Sequence, residues 1–91
     1  MVQIDKVVKL TAGTTAETVT LGGRPFMLQN LSTTTVVYFK EKRHDNAAAT
    51  ASNGYAVGPG KETTIPMVAM DLSVISDTAS TDVRVLILEE V

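Results

Sequence analysis

The sequence predicts an all-β protein, with seven to eight short antiparallel strands forming one β-sandwich or jelly-roll-like barrel domain. Three observations carry this. The 91 residues include 12 Val, 13 Thr and 4 Ile, side chains that are stiff at χ1 and pack well on a pleated surface. Short apolar runs recur between turn signals such as Gly22-Gly23, Asn53-Gly54 and Gly58-Pro59-Gly60. The few helix-friendly patches, such as Ala47-Ala48-Ala49-Thr50-Ala51, are too short to hold a helix alone, and without helical crossovers the strands pair antiparallel.

The first strand covers residues 2–10. Val2, Ile4, Val8 and Leu10 share one parity, Lys6 interrupts it and Val7 falls on the other face, so a bulge near Asp5-Lys6 or an edge position is expected. Residues 11–14 turn. Residues 17–21 form the second strand, with Val19 and Leu21 inward, and Gly22-Gly23 permits a tight reversal because glycine takes positive φ cheaply. Residues 24–40 read as the hairpin that organises the chain. Pro25 opens the third strand, Phe26 and Leu28 face one way, and Met27 and Gln29 face the other. Asn30 sits where its side chain can fix the turn, Ser32-Thr33-Thr34-Thr35 form the loop, and residues 36–40 return.

Residues 41–53 read as the longest loop, with a charged start and a small, featureless end. Tyr55-Ala56-Val57 is a short strand. Gly58-Pro59-Gly60 fits a type II turn with Gly60 at the second central position. Residues 61–66 resume as strand and residues 67–70 connect. Residues 72–76 alternate with Leu72 and Val74 inward, residues 77–82 turn, and residues 83–88 form the last and most apolar strand.

Composition narrows the function classes. With no Cys there is neither disulfide nor thiolate metal site, and the net charge of −2 predicts no nucleic-acid partner. The start of the chain lacks the apolar core of a signal peptide, and no apolar run approaches the ~20 residues of a membrane-spanning helix. Metal chemistry or a Ser-His-Asp arrangement would have to use His44, the single histidine, which lies in the long loop. No Gly-x-Ser-x-Gly elbow is present, and Gly58-Pro59-Gly60-Lys61 lacks the spacing of a phosphate loop. Neither a cofactor nor an enzyme activity is expected.

The informative irregularity is apolar residues on both faces of some strands. Val36/Tyr38 compete with Val37/Phe39, and Leu86/Leu88 with Val83/Val85/Ile87. A small sandwich should turn one face of each strand to water. The outer face formed by Met27, Val36, Tyr38, Leu86 and Leu88 is therefore expected to be covered, either by another subunit or by loops or the N-terminal segment of the same chain. His44 and Tyr55 are the candidate contacts for a ligand or partner.

Three stretches carry a resemblance. These are Phe26-Met27-Leu28-Gln29-Asn30-Leu31-Ser32 followed by Val36-Val37-Tyr38, then Gly54-Tyr55-Ala56-Val57-Gly58-Pro59-Gly60-Lys61-Glu62, and Asp71-Leu72-Ser73-Val74-Ile75-Ser76 followed by Asp82-Val83-Arg84-Val85-Leu86. Over about residues 8–88 they resemble small all-β virion proteins of tailed phages and prophages, of the head-decoration, head-fibre or tail-accessory kind. The resemblance implies a non-enzymatic stabilising role in the phage particle after synthesis in the bacterial cytoplasm. It also implies self-association, for example as a trimer, and docking on a capsid or tail protein. A small carbohydrate- or ligand-binding module using Tyr55 and residues 41–53 is the alternative from another class.

Overall fold

The computed structural model describes residues 2–42, 47–64 and 66–90. These form six strands and no helix: β1 (Val2–Ala12), β2 (Glu17–Asn30), β3 (Val37–Glu41), β4 (Tyr55–Val57), β5 (Met67–Ser76) and β6 (Thr81–Glu90). All pairings are antiparallel, in one sheet of order β1-β6-β2-β5-β3-β4. The all-β expectation holds, with six strands described in place of seven or eight.

The difference in count has two sources. Gly22-Gly23 does not reverse the chain, and Pro25 does not open a new strand, because residues 17–30 are one strand. Both glycines do take positive φ, 68° and 79°, where the register against β5 shifts between Thr20 and Arg24. They make a bulge that bends the strand. A straight 14-residue strand would reach roughly 43 Å, beyond the 37 Å longest dimension of the molecule. Residues 67–70, expected as a connector, are the first part of β5. Residues 61–66 were expected as a strand, but among the described residues they contribute one isolated bridge, Gln29 to Glu62.

Residues 24–40 are not a hairpin either. β5 stands between β2 and β3 and pairs with both. Local turn chemistry is present, since Ser32 N–H donates to Asn30 Oδ1 and the Thr34 and Thr35 N–H groups donate to Ser32 Oγ. It shapes the connection without deciding which strands pair.

The core gathers on the inner side of the bend. Phe26, Leu28, Val37, Leu72, Val74, Val83 and Val85 are fully buried, and Phe26 meets Phe39 edge-on with ring centroids 5.8 Å apart. Val19, Leu21, Phe26 and Leu28 all face this core because the bulge at the glycines switches the inward positions from odd to even. Both alternatives offered for β1 are present: the register shifts between Ile4 and Lys6, and β1 is an edge strand. Val8, Leu10 and Ala12 turn to the core on one side of that shift.

Candidate functional site

Two surfaces emerge from the strand register. The first is the outer face of β1, β6, β2 and β5. Residues directly opposite in an antiparallel pair share a face, so Val7, Leu86 and Met27 form one row. Ile4 pairs with Leu88, and Pro25 with Val68, to form a second row beside it. Ile4, Val7 and Val68 are 55%, 50% and 52% exposed, Met27 and Leu86 are half-buried, and Leu88 is a buried floor. Four strands at the usual spacing make this apolar band about 15 Å wide. A polar row, Lys9, Arg84 and Gln29, borders it.

The five residues expected on one outer face thus separate. Met27, Leu86 and Leu88 lie together, while Val36 and Tyr38 lie elsewhere, on and beside β3. There the chain covers itself. Ala49 N–H donates to Ser73 Oγ at 2.9 Å, Ala49 is 1% exposed, and Lys40 Nζ donates to the Ala47 carbonyl. Gly54 packs so closely that a Cβ on it would stand 3.0 Å from Tyr38 Cβ. Tyr38 is half-buried beneath this loop. Ile4, Val7 and Val68 were not singled out from sequence. Following the Asp5 bulge through would have moved Ile4 onto the face of Val7, whereas Val68 required knowledge that β5 begins at Met67.

An ion-pair cluster closes one end of this architecture. Arg24 of β2 reaches Asp5 at 2.8 Å in the β1 bulge and Glu89 of β6 at 3.2 Å, and Gln3 Nε2 donates to the same Glu89 carboxylate. These side chains are a third or more exposed, so the pairs orient the strands more than they stabilise them.

The second surface is a cavity of about 480 Å³ between β4 and residues 61–64. Tyr55 is 66% exposed, and its ring lies 5.5 Å from that of Phe39 at 30°. Phe39, Val57 and Met67 make the floor, and Glu62, Thr63 and Thr64 the far wall. A hollow of about 90 Å³ touches the same Phe39, Tyr55 and Met67 and extends to Phe26, Glu41 and Leu72. His44 lies outside the described residues. Among the described residues no group of three or more His, Asp or Glu side chains is placed to hold a metal. No described helix is long and apolar enough to cross a membrane.

Comparison of the chain with protein-family models, with curated proteins and with solved structures returned no match.

Proposed function

We propose that this chain is a non-enzymatic structural protein of a phage or prophage virion. In this reading it is a β-sandwich subunit that associates with itself and docks on a capsid or tail protein. The observation that supports it best is the apolar band of Ile4, Val7, Met27, Leu86 and Val68, displayed across four strands and left open by the chain's own loops. An exposed apolar patch rimmed by polar groups is the usual mark of a protein contact. The bulge in β2 supports the sandwich arrangement, since a bulge bends its strand and increases the local twist. A standard interface takes about 800 Å² per partner, roughly a sixth of this chain's 5133 Å². The band supplies the apolar centre of such an interface, and repetition around a symmetric particle multiplies each weak contact.

Light scattering over a wide concentration range tests self-association. The wild-type chain is expected as a closed oligomer, with Val7→Asp and Leu86→Asp shifted to monomer. A wild-type monomer at millimolar concentration defeats the reading. Mass spectrometry of purified particles tests the virion assignment, and absence of the chain from them removes it. The second reading, a carbohydrate- or ligand-binding module, is favoured by the cavity beside Tyr55.

A further inference from the structure

The cavity beside Tyr55 is a gap between two main-chain edges. Gly58-Pro59-Gly60-Lys61 forms the expected type II turn, with Lys61 N–H donating to the Gly58 carbonyl at 3.1 Å and Gly60 at φ 70°. Turns of this type twist against the strands they join and splay them. Here one arm, β4, follows β3. The other arm leaves for β2, where Asn30 N–H donates to the Lys61 carbonyl and Thr63 N–H to the Leu28 carbonyl.

Those bonds fix where the remaining main-chain groups point. Lys61 and Thr63 are turned to β2, so the N–H and C=O of Glu62 face away from it, toward the cavity. On the other arm, the Val36 carbonyl and Lys42 N–H bond to Asp77 and Asp71, so even-numbered residues along β3 serve β5. Val37 and Phe39 therefore serve β4 through Val57 and Tyr55, and the N–H and C=O of Ala56 face outward into the same cavity. No hydrogen bond joins the Ala56 or Glu62 main chain to the other described residues there.

The geometry points to an extended peptide segment of a partner protein as the occupant. The edge of β4 and the extended main chain at Glu62 offer what a peptide backbone complements, and a β-strand added to an open edge is a recurring mode of recognition. The smaller hollow beside Phe39 and Met67, lined also by Glu41, would take one small side chain of that segment. This inference does not rest on the virion reading, because the cavity and the apolar band lie on different surfaces.

The test is selection of linear peptides from a displayed library on the intact protein, followed by affinity measurement with the synthetic winners. Ala56→Pro and Glu62→Pro each remove an N–H that faces the cavity, and both are expected to weaken binding at least tenfold. Val7→Asp is expected to leave it unchanged. In the wild-type protein, bound peptide is expected to slow hydrogen exchange at the Ala56 and Glu62 amides, a readout that needs no variant to fold. Failure to enrich any peptide overturns the inference. So does undiminished exchange at both amides, or binding that Val7→Asp abolishes. Oligosaccharide binding lost in Tyr55→Ala, with no peptide selected, replaces the peptide by a sugar.

Discussion

Asn30 ties the connection between β2 and β3 to the end of β4 through one side chain. Its Nδ2 donates to the carbonyls of Thr35, Val57 and Gly58, and its Oδ1 accepts from Ser32 N–H. Asn30 itself is 1% exposed and its bond to the Val57 carbonyl is buried, so water does not replace that pairing. Asn30→Ala removes these bonds, and a loss of about 2–4 kcal/mol is expected in urea unfolding. Asn30→Asp is expected to lose more at neutral pH, because a carboxylate would face three carbonyl oxygens with no proton to give. An Asp variant as stable as wild type contradicts this account. The sequence marked Asn30 as a turn-fixing residue. It did not show that two of the carbonyls served, those of Val57 and Gly58, come from beyond the long loop.

At the scale of elements, β2 is the strand on which the architecture depends. β5 flanks it on both sides of the glycines, at residues 17–20 and 24–26, β6 flanks residues 26–30, and the register shift between Thr20 and Arg24 is set by two residues with positive φ. Gly22→Ala meets open space, so its cost is conformational, about 1–2 kcal/mol. Gly23→Ala carries the same cost and also meets Met70 Sδ at 3.1 Å, the movable end of a flexible side chain. Thermal unfolding is expected to rank wild type first, Gly22→Ala next and Gly23→Ala last, with Met70→Ala narrowing the gap between the variants. Equal stability of all three would mean that the bend does not need glycine. The edge strand β1 shows a different device. Its bulge at Asp5 and its Lys6 and Lys9 discourage another strand from pairing there. Contact through the outer face is thereby favoured over contact through this edge.

For the whole molecule, the apolar band and the cavity divide the work proposed for it between a face and a gap. If the band is the self-association surface, unfolding is linked to assembly, and the thermal midpoint must rise with protein concentration. Differential scanning at concentrations spanning a hundredfold is expected to show this for wild type and a flat midpoint for Val7→Asp. A flat midpoint for both removes the band as a site of self-contact. The loop over Tyr38 sets the limit of this surface. By donating the Ala49 N–H to Ser73 Oγ, residues 47–54 bury with their own backbone a face that would otherwise extend the band onto β3 and β5.

What could be read along the chain is what neighbouring residues settle among themselves. Alternation placed Val19, Phe26, Leu28, Leu72 and Val74 inward, and the interrupted pattern at Lys6 offered a bulge or an edge position, both of which β1 has. Pro59-Gly60 specified its turn, since proline fixes one φ and glycine accepts the other. Gly22-Gly23 announced positive φ, but a reversal and a bulge demand the same backbone at that point. Whether the chain turns back or bends depends on which strands lie beside it. Here β5 takes the flank of β2 that a hairpin would have given to β3. Pairing partners are chosen by burial across the whole core and by hydrogen bonds between residues far apart in the chain, and no local pattern encodes them. The same reason hid the band and the gap. One is a row across four strands, and the other is a space between two arms that their partners pull apart.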